Sequence, residues 1–235
     1  MLNFAYIDLI KLKENALAIK KQLKRGQKFN AVVKADGYGH GAERVANALY
    51  TIVDGFSVAI VEEGVKLRLS GIKKDILVLT PFFQSDVESA VFFDLTLAVD
   101  NFERVLMLER EGERQNRKVK VHIKFNSGMN RFGVSDLKEL RNLAEYVINS
   151  DFLILDGAFS HFSMPENKKL RIKAENKFLL ANNLIKGYNN KATCHISASG
   201  GFLVGAESDM VRIGILLYGY NPRYFLCRTP YLAGG

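Results

Sequence analysis

The chain has 235 residues, 48% hydrophobic and 25% charged, which suits one large domain or two small ones and is too much for a small stapled module. Two cysteines, Cys194 and Cys227, exclude a disulfide framework and point to a reducing cytoplasm. The balance of 33 basic to 25 acidic residues, net +8, admits nucleic acid or an anionic ligand as partner. No apolar run nears the roughly 18 residues of a membrane helix, and Asp8 with the lysines behind it excludes a signal peptide.

A helix is predicted over Leu9–Leu23, ahead of a first strand at Phe29–Val33. Further strands are predicted at Gly55–Ile60, Asp75–Thr80, Leu95–Val99, Val119–Phe125, Ile154–Phe159, Ala192–Ile196 and Asp209–Arg212. Helical periodicity fills the intervals. Asn101–Glu113 places Val105, Leu106 and Leu108 on one side. Ser135–Ile148 opens on Ser135 as N-cap and carries Leu137, Leu140, Leu143, Ala144 and Val147. Asn167–Tyr188 has Leu170, Ala174, Phe178, Ala181 and Ile185 as its stripe. The basic groups Lys20-Lys21 to Arg25 and Lys168-Lys169 to Lys173 lie in helical patterns and read as solvated faces.

Strands alternating with helices imply parallel pairing, because parallel neighbours need a crossover. The fold class is therefore α/β, and eight such units predict an eight-stranded parallel βα barrel with the first helix filling the ring position after strand eight. The alternative is an open doubly wound sheet. That fold would carry a Gly-rich dinucleotide turn, which Gly37-Tyr38-Gly39-His40-Gly41 does not match.

Reactive groups in such barrels sit at the C-terminal ends of strands. Strand one ends in Ala31-Val32-Val33-Lys34, then Ala35-Asp36-Gly37-Tyr38-Gly39-His40-Gly41. A lysine at a partly apolar barrel mouth is favoured as the neutral amine, which can attack a carbonyl and form a Schiff base. Alone, it reads first as a surface lysine at a strand end; the residues after it change that weighing.

Residues 31–41 closely resemble the pyridoxal-phosphate lysine motif of bacterial alanine racemases. The resemblance continues in order through Lys124–Gly133, Gly157–Phe162, His195–Ser199 and Met210–Ile215, and spans roughly residues 4–221. It implies that Lys34 holds pyridoxal 5'-phosphate and exchanges the substrate α-proton on one face. It puts the Tyr38 hydroxyl on the cofactor phosphate, together with Ser199 and the amides of Gly214 and Ile215, at the usual barrel phosphate position. Ser197 or Ser199 alone reads equally as an N-cap. Arg131 would orient the substrate carboxylate. Arg212 would face the pyridine nitrogen and keep it unprotonated, with His161 hydrogen-bonding Arg212. Lys124, on the barrel side of its strand, matches a lysine carbamylated in many relatives; the anion so formed would hold Arg131. Asn126-Ser127 stand where the family usually has Asp-Thr. Asp36 and His40 are read as orienting the loop, without chemistry of their own.

Alanine racemases usually continue into a mainly β domain that supplies the opposite-face tyrosine to the partner subunit. Here the family pattern stops near Pro222. The expectation is a cofactor-binding barrel over 1–222, a tail over 223–235 unlike the family, and the C-terminal β domain missing. Tyr218, Tyr220, Tyr224 and Tyr231 match no catalytic-tyrosine motif. The function implied is interconversion of L- and D-alanine, supplying D-alanine for peptidoglycan, in a cytoplasmic homodimer when full length. This chain alone would be inactive, with no metal, membrane or nucleic-acid partner. A single-barrel pyridoxal-phosphate homeostasis protein is the alternative. A basic nucleic-acid binder is the reading from another class, without a recognisable binding motif.

Overall fold

The computed structural model describes residues 5–221. In chain order its elements are α1(Leu9–Lys20), β1(Lys28–Val32), α2(Lys34–Gly39), α3(Ala42–Leu49), β2(Gly55–Val58), α4(Val61–Leu69), β3(Asp75–Val78), α5(Gln84–Phe92), β4(Thr96–Val99), α6(Phe102–Gln115), β5(Val119–Lys124), α7(Leu137–Asn149), β6(Leu153–Phe159), α8(Lys168–Tyr188), β7(Thr193–His195), α9(Ser199–Leu203) and β8(Met210–Ile213). Each strand is a short apolar run, and the helix after it returns the chain so that the next strand pairs in parallel. The strand order is β7-β6-β5-β4-β3-β2-β1-β8.

The two ends of that order meet. Asp209 N–H donates to Cys194 O and Arg212 N–H to Ser197 O, both at 3.0 Å, and Ala198 bridges Arg212 in parallel. Side chains complete the join: Asp209 Oδ2 accepts from Cys194 N–H (2.9 Å) and Ser208 Oγ from Ile196 N–H (3.0 Å). The architecture is the eight-stranded βα barrel, and the open-sheet alternative is set aside. Asn15 of α1 donates to Leu217 O beyond β8 (3.0 Å), seating α1 beside the end of the last strand.

Differences from the predicted elements are local. α1 ends at Lys20, three residues early. α7 begins at Leu137 with Asp136 as its N-cap, accepting from Lys138 N–H. Ser135 instead accepts from Asn126 Nδ2 (3.0 Å), so the cap passes to the acidic neighbour. In α8 the stripe Ala174, Phe178, Ala181 and Ile185 is buried, while Leu170 is 41% exposed in the first turn. Leu106 is only half-buried in α6. Lys20, Lys21, Arg25, Lys168, Lys169 and Lys173 are all exposed. No helix among the described residues is long and apolar enough to cross a membrane. Cys194 is buried and its thiol is pushed up to about 12 by burial. Cys227 and the 223–235 tail lie outside the described residues.

Candidate active site

The segment after β1 is the unusual piece of backbone. Ala35, Asp36, Gly37 and Tyr38 all have φ between 50° and 62° with ψ between 37° and 51°, so α2 is one turn of left-handed helix. L-residues reach that region at a cost, about 1–2 kcal/mol each, because Cβ crowds the following carbonyl. Contacts from several directions hold it. Glu63 accepts from Ala35 N–H (2.6 Å) and from Ala59 N–H (2.7 Å), tying the turn to the loop after β2. Asp36 Oδ1 accepts from Ala42 N–H (2.8 Å). His40 Nδ1 lies 3.0 Å from Tyr38 O and 3.1 Å from Gly37 O, and therefore carries a proton. Asp36 and His40 do orient this loop. The result is that Lys34, half-buried, stands at the mouth end of β1 on a fixed base.

The same turn carries Tyr38 across to β8. A Cβ on Gly214 would sit 2.5 Å from the Tyr38 hydroxyl, so only glycine allows this approach. Gly214 N–H donates to Ser199 Oγ (3.1 Å), and Ile215 follows, half-buried. Ser199 is the first residue of α9; its N-cap is Ala198, with no side-chain cap, so neither Ser197 nor Ser199 plays that part. Tyr38, Ser199, Gly214 and Ile215 are thus gathered around one end of β8. Burial pushes the Tyr38 hydroxyl above its ordinary value, so it remains a hydrogen-bond donor at neutral pH.

Arg212, third residue of β8, is 3% exposed and meets no carboxylate among the described residues. Its guanidinium donates to His195 Nδ1 by a short contact, to His195 O (3.2 Å) and to Ser160 O (2.7 Å). His161 Nδ1 lies at 3.4 Å, a longer contact than the one to His195. His195 is therefore the principal ring partner and His161 the lesser one. Burial and the Arg131 charge push Arg212 down to about 9, which leaves it charged at pH 7. Burial, then Arg212, Arg131, Lys124 and Lys34, push His161 down to about 3. A neutral imidazole is thus ringed by basic side chains, the Arg212 guanidinium nearest, a setting that favours an anionic ligand.

Lys124 ends β5 inside the barrel, 2% exposed. Its Nζ donates to Phe125 O (3.1 Å) and lies over the rings of Phe159 (5.2 Å) and Phe132 (5.4 Å). Burial, Arg212 and Arg131 push it down to about 7. Arg131, in the loop after β5, is exposed and lies over Phe132 with no ion-pair partner among the described residues. The Asn126-Ser127 pair is accommodated locally. Asn126 Oδ1 accepts from Gly128 and Asn130 N–H, and Ser127 Oγ pairs with Ser160 Oγ (2.7 Å).

The Lys124 cation costs stability, and the sign follows from its lowered value. Between pH 7 and 10.5 unfolding takes up a proton, so the penalty is complete below about 7 and gone above 10.5. It amounts to roughly 5 kcal/mol at most. In carbon-dioxide-free buffer, Lys124→Met is expected to raise Tm clearly at about pH 6 and little at about pH 10. Thermal unfolding at both values measures it, and an equal gain at both would contradict the burial argument.

Over residues 7–222 the chain matches the family described as "Alanine racemase, N-terminal domain". It belongs to that family. It is 34% identical over 221 residues to the alanine racemase of Streptococcus pyogenes serotype M6, covering 93% of this chain and 60% of that protein. The alanine racemase of Clostridium difficile 630, solved in complex with cycloserine, superposes with a TM-score of 0.90 at 30% identity, covering 96% of this chain and 64% of that one. The Bacillus anthracis enzyme with bound L-Ala-P gives 0.86 at 30% identity, covering 99% and 62%. The chain thus spans about 60% of the length of the curated relatives it matches.

A groove also lies at the far end of the barrel. About 840 Å³ opens between α8 and the loop before β8, lined by Lys24, Lys28, Lys186, Glu207 and Asp209 among others. Lys24 pairs with Glu207 and Lys186 with Asp209, while Arg25, Lys28 and Lys191 leave the lining net positive; the groove holds none of the expected site residues. Sequence reasoning missed Glu63, the clamp on the left-handed turn, and the ring of His195 as the partner of Arg212. The second had a signal, since His195 opens one of the family-like motifs.

Proposed function

We propose that this barrel binds pyridoxal 5'-phosphate and performs one half of the proton exchange by which L- and D-alanine interconvert. What carries the reading is the pairing of a buried Arg212 cation facing only neutral acceptors with Lys34, Tyr38, Ser199 and Gly214 at the same end of the barrel. The donor set fits the cofactor: a primary amine for its aldehyde, a tyrosine hydroxyl, a serine and glycine-exposed backbone for its phosphate, a guanidinium for its ring nitrogen. When bound, pyridoxal phosphate supplies a conjugated ring that acidifies the α-hydrogen of an attached amino acid. Lys34 Nζ holds the cofactor between turnovers and takes or returns the α-proton on its own face. Arg212, charged at neutral pH, would donate to the ring nitrogen and keep a proton off it, which would weaken the ring as an electron sink and favour return of the proton to the α-carbon. Arg131 grips the substrate carboxylate through its paired N–H groups. Lys124, pushed down to about 7 and so partly neutral near that pH, is open to carbamylation, and the resulting anion would offset the Arg131 and Arg212 charges.

The remaining features of the reading rest on the family resemblance of the sequence alone. They are a homodimer, a cytoplasmic setting, a role in D-alanine supply for peptidoglycan, and an opposite-face proton donor outside the residues described. Residues 1–235 by themselves are expected to take up cofactor and to give negligible D-alanine from L-alanine, read by chiral chromatography. Turnover of about 1 per second would place the second base within these residues. The direct test is borohydride reduction of the cofactor-loaded chain followed by peptide mapping. A single label at Lys34 is expected. A label at Lys124, the buried lysine of the barrel, or none on folded protein, overturns the assignment. Capture at Lys34 by a full-length protein that does not racemise would favour the homeostasis alternative.

A further inference from the structure

The barrel interior holds a line of polar groups that the mechanism above does not use. Asp156 lies in β6 and opens onto a small cavity among the first residues of the strands, with Lys28, Asp75 and Thr193. That is the end opposite Lys34. Asp156 Oδ2 is 3.0 Å from His122 Nε2 of β5. His122 Nδ1 is 2.8 Å from His195 Nε2 of β7, and His195 Nδ1 meets Arg212 of β8. Four strands thus supply an unbroken chain from one end of the barrel to the buried guanidinium.

The chain has only one proton arrangement. Guanidinium is a donor without a lone pair, so His195 Nδ1 must be the acceptor. His195 therefore carries its proton on Nε2 and gives it to His122 Nδ1. His122 then carries its proton on Nε2 and gives it to the Asp156 carboxylate. A second proton on either ring would set two donors face to face. Burial, with Arg212 behind it, pushes His195 well below the usual imidazole range. Burial acts upward on Asp156, but the His122 hydrogen bond and nearby lysines outweigh it and leave the carboxyl below its ordinary value. The ends are thus a cation and an anion joined through two neutral rings. Phe159 stacks on His195 at 5.3 Å and 9° and keeps that ring in plane.

We propose that Asp156 is a positioning residue for Arg212, acting through the fixed tautomers of His122 and His195. This rests on the reading that Arg212 faces the cofactor ring. Without the carboxylate, the Nε2–H form of His122 loses its acceptor of choice. His195 can then turn an Nδ1–H toward Arg212 and displace the guanidinium.

The chain has four histidines, so its imidazole nitrogens can be assigned. Long-range proton–nitrogen correlation on the histidine-labelled chain should show His122 and His195 as pure Nε2–H tautomers. In Asp156→Asn both rings should show mixed tautomers. Cofactor should still be captured at Lys34, but about tenfold more weakly, the size of one lost charge-assisted hydrogen bond, and with a shifted visible band. Asp156→Glu should restore tautomers and band together. A charged or Nδ1–H ring in the unmodified chain overturns the proposal. So does Asp156→Asn with tautomers and band unchanged. A wild-type chain that takes up no cofactor would instead sink the proposed function, and the tautomers would still decide the case for Asp156.

Discussion

Gly157→Ala is expected to leave no stable barrel. A Cβ at that position would sit 2.2 Å from Thr193 O and 2.7 Å from His122 Cε1. Thr193 is the strand partner of Gly157 in β7, and His122 is its partner in β5, so the clash is with the sheet on both sides. The carbonyl cannot withdraw without parting β6 from β7, and the ring cannot withdraw without abandoning His195. Overpacking against backbone at such a point should cost about 4 kcal/mol or more, most of the stability of a typical domain. Urea unfolding, or failure of the variant to accumulate in soluble form, measures it. Gly187→Ala is the matched comparison. It lies in α8 with nothing within 4 Å of the new methyl, and should stabilise by about 0.5–1 kcal/mol. Similar behaviour of the two variants would contradict the geometry at Gly157.

Lys34→Ala should do the reverse, ending cofactor capture while leaving the fold alone. Lys34 is half-buried, and its Nζ makes no hydrogen bond or ion pair among the described residues. The turn that follows is held by Glu63, Asp36 and the Gly37 N–H to Val33 O bond (2.8 Å), all independent of the lysine side chain. Borohydride-stable labelling should fall to background and the visible band should vanish, with no measurable drop in Tm. Lys34→Arg, which keeps the charge without the amine, should behave alike. Capture persisting in either variant would move the covalent role to another lysine.

The strand ends were legible because parallel strands are short apolar runs set off by helices, and the runs ending in Lys34 and Lys124 announce their own termini. The left-handed turn was not. Nothing in the preferences of Ala35, Asp36 or Tyr38 favours positive φ, and the carboxylate that holds them is Glu63, 28 residues away. The Ser135 and Asp136 caps differ by one residue of similar type, and only the helix start decides between them. Leu170 fits the periodicity of α8, yet that first turn overhangs the core. The resemblance points Arg212 at His161 alone, because the sequence cannot rank two imidazoles on neighbouring strands. Their 3.4 Å and shorter contacts do.

A ring of strands has no free edge, so it cannot fray; it has to part at a joint. The joint here is between β7 and β8, where two amide bonds and two side-chain acceptors stand in for a full ladder. Arg212 lies across it, its amide bonded to Ser197 O and its guanidinium to His195. Solvent deuterium should therefore reach the amides of Asp209 and Arg212 before those of β3 to β6. The same opening would hydrate the buried cation, so the first breathing of the barrel and the exposure of a buried charge are one event.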